Sequence, residues 1–143
     1  MGFLTGLFGS SKKRLLHDKD LGDLTELTHN GAVITWNGKI KFLNETISVS
    51  MTGNSDQLNP AERAALLDTL KNEATIEPHI NEALLQQYEE AHKKYVNWQT
   101  HFDCITISSK NNEISITFEE KDSLYHFNIF LLNSKVVGVS IDS

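Results

Sequence analysis

The hydrophobic pattern of this chain changes period twice. Apolar and polar residues alternate before Asn59, apolar residues recur at spacings of three and four from Asn59 to Trp98, and alternation returns up to Ile141. Alternation is typical of a half-buried strand, whereas spacings of three and four are typical of an amphipathic helix. The pattern therefore predicts an antiparallel sheet interrupted by two helices.

Short turns join the predicted strands, and such turns connect antiparallel neighbours. We predict an α+β fold in which a mostly antiparallel sheet of about six to seven strands carries a two-helix insertion packed on one face. A chain of 143 residues suits one domain. We divide it into an amphipathic leader, residues 1–20, which is flexible or docked, and a single α+β domain, residues 21–143.

The first strands are predicted from Ala32 onward, because residues 15–31 have the pattern of a loose helical or irregular lead-in. Asn37-Gly38 is a strong hairpin signal, since both residues accept the positive φ of a type I′ turn. With a second turn at Asn44-Glu45, the sequence predicts a three-stranded meander from Ala32 to Met51.

The helical segment opens on a clear start signal. Asn59 is a cap, Pro60 suits the first helical position, and Glu62 is placed to reach back as in a capping box. This helix should end near Lys71 and bury Ala64, Leu67 and Leu70. A second helix is predicted to open at Pro78, with a buried stripe of Ile80, Leu84, Tyr88, Ala91, Tyr95 and Trp98.

Four closing strands are predicted after Phe102. Turns are expected at 110–112, at 119–123 and at 133–134. The last strand should direct Val137, Val139 and Ile141 inward.

The cellular compartment is predicted from the single cysteine and from the leader. Cys104 cannot form an internal disulfide, so the cytoplasm is the simplest location. The leader places Phe3, Leu4, Leu7 and Phe8 at helical spacing, but glycines break this run and basic residues follow it, which is the wrong order for a signal peptide. The apolar patch is too small for stable anchoring by itself, so we favour a docked or frayed terminus over membrane contact.

Charge is distributed unevenly along the chain. Residues 1–41 hold six Lys and Arg against four Asp and Glu, whereas residues 42–143 hold seven against fifteen. An acidic body repels phosphate backbones, which argues against nucleic-acid binding, and it attracts basic proteins. Solubility alone is the alternative explanation of this charge.

Two acidic groups are the candidate partner-binding residues. Glu82, Glu89 and Glu90 are predicted on the exposed side of the second helix, and Glu119, Glu120 and Asp122 in one strand connection. If they steer a basic partner, reversal of the second group to lysine should slow association by about tenfold or more, chiefly at low salt and with little loss of stability.

Candidate catalytic residues form no complete set. Glu89 and His92 have the Glu-x-x-His spacing of di-iron bundles, but those sites need the unit twice. His101 and Cys104 would need a further histidine, such as His126, brought close by the fold. We therefore predict neither a metal nor a cofactor. We interpret Cys104 as a buried structural cysteine. A small cytoplasmic hydrolase or metal-dependent enzyme using these residues is the alternative.

In outline the chain resembles small bacterial domains found as immunity proteins beside polymorphic or contact-dependent toxins. The resemblance depends on compact size, the acidic body, the meander 32–51, the helical pair 59–98 and the closing strands up to residue 141. It implies a non-enzymatic protein that binds and neutralises a toxin, for example a basic nuclease domain. Without a shared motif, no residue role is carried over. A scaffold or regulatory module is a further alternative, and the sequence leaves the oligomeric state open.

Overall fold

The structure is a computed structural model that describes residues 12–143. In this part of the chain the strands are β1 (Leu15–Asp18), β2 (Gly22–Asn30), β3 (Val33–Phe42), β4 (Glu45–Gly53), β5 (Phe102–Lys110), β6 (Glu113–Glu120), β7 (His126–Leu132) and β8 (Lys135–Asp142). The helices are α1 (Pro60–Lys71), α2 (Glu73–Glu90) and α3 (Trp98–His101).

The strands form one open sheet in which spatial order follows chain order from β1 to β8. Neighbours are antiparallel except for β4 and β5, which pair in parallel. A parallel pair needs a long connection, and the three helices lie within it. The predicted α+β fold with a mostly antiparallel sheet is confirmed, although the described residues contain eight strands and three helices rather than six to seven strands and two helices.

The predicted irregular lead-in is wrong, because residues 15–30 contribute β1 and β2. The Asp18 side chain turns the chain between these strands by accepting hydrogen bonds from the backbone N–H groups of Asp20 and Leu21, at 2.9 and 3.0 Å. Leu21 and Leu24 are buried in the core. The predicted leader, residues 1–20, therefore includes β1 near its end, while its residues 1–11, with the predicted amphipathic turn, lie outside the described residues.

The predicted turn at Asn37-Gly38 is also wrong. Both residues lie inside β3, opposite Ser50 and Val49 of β4. The chain turns instead at 43–44, where two consecutive residues have φ values of 52° and 65°. The three-stranded meander in this region is therefore β2, β3 and β4.

Helix α1 begins and ends where the sequence predicts. The Asn59 side chain accepts a hydrogen bond from the Glu62 N–H at 3.1 Å, and Pro60 is the first helical residue. The prediction of a capping box is wrong, because the Glu62 carboxylate accepts hydrogen bonds from the backbone N–H and the hydroxyl of Thr52, both at 2.8 Å. The buried side of the helix is displaced as well, since it contains Leu66 and not Ala64.

Helix α2 begins five residues before Pro78 and ends at Glu90, well short of the predicted Trp98. At its end, His92 adopts a φ of 55°, the N–H of His92 donates to the carbonyl of Glu89 at 3.1 Å, and that of Lys93 donates to the carbonyl of Tyr88 at 2.9 Å. This pair of hydrogen bonds is a Schellman motif, which ends a helix with one left-handed residue. Ala91 and Tyr95 therefore follow the helix rather than extend its stripe.

The core lies between the sheet and the helices. Helix α1 packs on β4, β5 and β6, and α2 packs on β8. The largest fully buried side chains of this core are Trp36, Trp98, Phe42, Phe102 and Phe118. None of the helices within residues 12–143 has both the length and the apolar character needed to cross a membrane.

Candidate protein-binding surface

Among the helices and strands of residues 12–143, α2 has the largest net negative charge. Its eighteen residues include five glutamates and neither lysine nor arginine. Glu73 binds the backbone N–H of Leu43, and Glu77 accepts a hydrogen bond from the indole N–H of Trp98 at 2.9 Å. The other three glutamates, Glu82, Glu89 and Glu90, are exposed, as the sequence predicts.

Two of these exposed glutamates are electrostatically unfavourable where they stand in the helix. Glu89 and Glu90 occupy the last turn of α2, which has no basic residue. The carboxyl end of a helix carries partial negative charge, and a cation there typically stabilises it by about 0.3–1 kcal/mol. Carboxylates at this position reduce helix stability and concentrate negative potential on the surface. Glu82 lies about two helical turns before Glu89. Its carboxylate accepts a hydrogen bond from Gln86 at 3.4 Å.

The second predicted acidic group is divided by the structure. Glu119 lies in β6, where its carboxylate is 3.1 Å from Nε2 of His126 on β7. Asp122 is exposed in the loop between β6 and β7. These two residues remain candidates for contact with a partner, but they belong to different local environments.

Glu120 is not an exposed loop residue, so that part of the prediction is wrong. It ends β6 and is 4% exposed. Its carboxylate accepts hydrogen bonds from the Tyr88 hydroxyl, from Ser123 Oγ at 2.6 Å and from Lys93 Nζ at 3.1 Å. Burial by itself would raise the pKa of Glu120, but the hydrogen bonds from Ser123, Tyr88 and Lys93 outweigh it and hold that pKa below its usual value. Glu120 joins the end of α2 to the sheet and is not available to a partner.

The candidate nucleophile, Cys104, is buried, as predicted. It lies on the core side of β5 and is 2% exposed. Burial raises the pKa of its thiol, and the nearby carboxylates of Glu45 and Glu73 raise it further. The thiolate form that a nucleophile requires is therefore strongly disfavoured.

The two histidines considered with Cys104 have other partners. The His101 ring stacks on Tyr95 at 5.2 Å between centroids, and its Nε2 accepts the Val96 N–H at 3.0 Å. His126 binds Glu119 on the face of the sheet opposite the core. His101, Cys104 and His126 thus each make separate internal contacts. A hydrolase site would have to bring these three side chains together.

The Glu89-x-x-His92 spacing does not correspond to one helical face. The helix ends at Glu90, and His92 has left-handed backbone geometry. Within residues 12–143, no group of three or more His, Cys, Asp or Glu side chains is arranged to hold a metal ion.

Sequence reasoning missed the free edge of the sheet at β8. Val137 is 56% and Ile141 46% exposed, although the alternating pattern predicts both inward. A register shift opposite Phe130 and Leu131 makes Val137 a bulge residue. Nothing in the local pattern indicates a bulge or an edge, because both depend on which strands pair.

The other face of the sheet is largely polar. Hydroxyl and amide side chains form rows across it, as where Asn37 donates to Ser48 Oγ at 3.0 Å and Thr117 donates to Asn128 at 2.7 Å. The exposed glutamates of α2 lie on the other, helical side of the sheet.

No family model, curated protein or solved structure matches this chain.

Proposed function

We propose that this protein is a non-enzymatic binding protein of the immunity kind, which neutralises a cognate bacterial toxin in the cytoplasm by direct contact. The observation that carries the proposal is the charge of α2, with five glutamates, no lysine or arginine, and three exposed carboxylates. A basic protein surface is the natural complement of such a helix.

A toxin nuclease domain is the partner that fits this chemistry best. A nuclease binds the phosphate backbone through lysine and arginine side chains, so its substrate groove is basic. An exposed row of carboxylates can occupy the same groove and exclude the substrate. The net charge of −6 on the whole chain adds long-range attraction that speeds the encounter.

The contacts of the candidate catalytic residues support binding over hydrolysis. His101, Cys104 and His126 are engaged in separate internal contacts. A scaffold or regulatory module would use the same acidic surface and would differ in the identity of its partner.

The test is neutralisation of a toxin encoded beside the gene for this protein. Co-expression should restore growth of cells that produce the toxin, and the purified proteins should associate quickly at low salt. The triple variant Glu82→Lys/Glu89→Lys/Glu90→Lys should slow association by about tenfold or more, and the loss should shrink as salt screens the charges.

A matched control is the triple variant Asp23→Lys/Asp56→Lys/Glu113→Lys. It changes net charge by the same amount at exposed residues away from α2. If both triple variants slow association equally, the effect comes from net charge and not from α2. If the neighbouring toxin is neither bound nor neutralised by the unaltered protein, the immunity proposal is wrong.

A further inference from the structure

The two edges of the sheet differ in length. The first edge strand, β1, has four residues, whereas β8 at the other edge has eight. Within residues 12–143, no strand pairs with the outer side of β8. A long free edge presents unpaired backbone N–H and C=O groups that can pair with a further strand.

Two exposed apolar side chains, Val137 and Ile141, lie on this edge strand, and others lie on or just before the neighbouring strand β7. Of the nine large apolar side chains that are exposed in the described part of the chain, five lie on β7, on β8 or in the loop before β7: Leu124, Tyr125, Leu132, Val137 and Ile141. Apolar contacts that accompany strand pairing bury such residues and add affinity to the backbone hydrogen bonds.

The charges of β8 identify the strand that fits. Lys135 begins the strand and Asp142 ends it, and both side chains are exposed. When two antiparallel copies of β8 pair along their full length, Lys135 of each lies beside Asp142 of the other. Asp142 also accepts a hydrogen bond from the Asn128 side chain of β7 at 2.8 Å, and its carboxylate remains exposed. A parallel arrangement would instead place like charges together. A strand with opposite charges at its ends is therefore self-complementary in the antiparallel sense only, which is the symmetry of a two-fold dimer.

We infer that β8 is a dimerisation edge, at which a second copy of this chain pairs antiparallel and continues the sheet across a two-fold axis. The bulge at Val137 interrupts the regular run of backbone groups, and the glutamates of α2, which packs on β8, repel their symmetry mates. Both features weaken the dimer. Because a single strand edge is also a small interface, its dissociation constant should lie in the micromolar range.

Sedimentation of the full chain from about 1 µM to about 500 µM tests the inference. The unaltered protein should change from the monomer mass of 16.1 kDa towards twice that value. Lys135→Asp and Asp142→Lys should each weaken the dimer by roughly tenfold, because each places like charges together at two symmetric contacts. The double variant Lys135→Asp/Asp142→Lys should restore dimerisation, since it exchanges the charges and recovers both pairs.

A second pair of variants locates the interface independently of charge pairing. Ile141→Lys should weaken the dimer, whereas Leu15→Lys, which alters an exposed apolar residue on the opposite edge strand, should leave it unchanged. The inference would be overturned if the unaltered protein were a monomer at every concentration. It would also be overturned if the double variant failed to regain dimerisation, or if Leu15→Lys dissociated the dimer while Ile141→Lys did not. A β8 edge that binds another protein instead would give the first of these results.

Discussion

Leu24 occupies the space that a side chain at Gly38 would need. A Cβ placed on Gly38 would lie 2.6 Å from Cδ2 of Leu24 and 3.2 Å from the carbonyl oxygen of Asp23. Leu24 is 1% exposed, so it cannot move away without disturbing the core. The Asn37-Gly38 pair that resembles a turn in the sequence is thus a packing position inside β3.

Gly38→Ala should therefore destabilise the protein by about 1–3 kcal/mol, as is usual when a well-packed core is overfilled. Urea unfolding measures the change. Gly138→Ala is the matched control, because its added Cβ would have no neighbour closer than 3.9 Å. In a protein that already carries Leu24→Ala, Gly38→Ala should lower the free energy of unfolding much less than it does in the unaltered protein. An equal loss of stability in both backgrounds would show that Leu24 is not the cause.

The ion pair between Asp18 and Arg63 should make stability depend on acid pH. The two side chains form hydrogen bonds of 2.8 and 3.2 Å, and Asp18 is 11% exposed. The hydrogen bond from Arg63 is the main cause that lowers the pKa of Asp18 to about 2. Because this pKa lies below that of the unfolded chain, the stabilisation is complete above pH 4–5 and is lost as pH falls towards 2.

Asp18→Asn should remove about 2 kcal/mol at pH 7 and flatten the dependence of unfolding free energy on pH between 5 and 2. Asp56→Asn, at an exposed loop position, is the control and should leave the pH profile unchanged. A profile for Asp18→Asn that parallels the unaltered protein would contradict the assigned pKa.

Substitution of His92 should stabilise the end of α2. His92 is held at a φ of 55°, which glycine adopts without steric cost. His92→Gly should therefore raise the free energy of unfolding by about 0.5–1 kcal/mol. His79→Gly, in the interior of the same helix and exposed, should lower it by about 1 kcal/mol. The opposite signs, measured by thermal unfolding, distinguish the left-handed position from an ordinary helical one.

The Cys104 thiol should react with a disulfide reagent only when the protein unfolds. Burial and two nearby carboxylates raise its pKa, so labelling in native buffer should be at least about 100-fold slower than in concentrated urea. The variant Cys104→Ala/Ser143→Cys, with an exposed terminal thiol, should be labelled quickly in both. Rapid labelling of native Cys104 would favour the hydrolase alternative.

The parts of the fold that the sequence predicts correctly have local causes. The cap at Asn59, the connection at 133–134 and the alternating residues of β6 depend on neighbours in the chain. The errors depend on contacts between distant segments. The left-handed residue His92 is not glycine, so no composition signal marks the end of α2, whereas the turn after β3 contains Asn44 and is predicted one residue too late, at Asn44-Glu45.

The candidate surface follows the same division. The exposed glutamates of α2 could be predicted from helical spacing, because α2 is solvated on one side. Glu120 could not, since its burial requires Tyr88 on α2 and Lys93 just after that helix. The partners of Glu62, on β4 and after β5, are equally invisible to the local pattern.

The single parallel contact between β4 and β5 has a kinetic consequence. Every other neighbouring pair of strands joins segments that are adjacent in the chain, so their pairing closes only short loops. The strands β4 and β5 can meet only after the whole segment between Gly53 and Phe102 has closed, which costs more conformational entropy. The two meanders can therefore form early and independently, and the step that unites them should limit the folding rate.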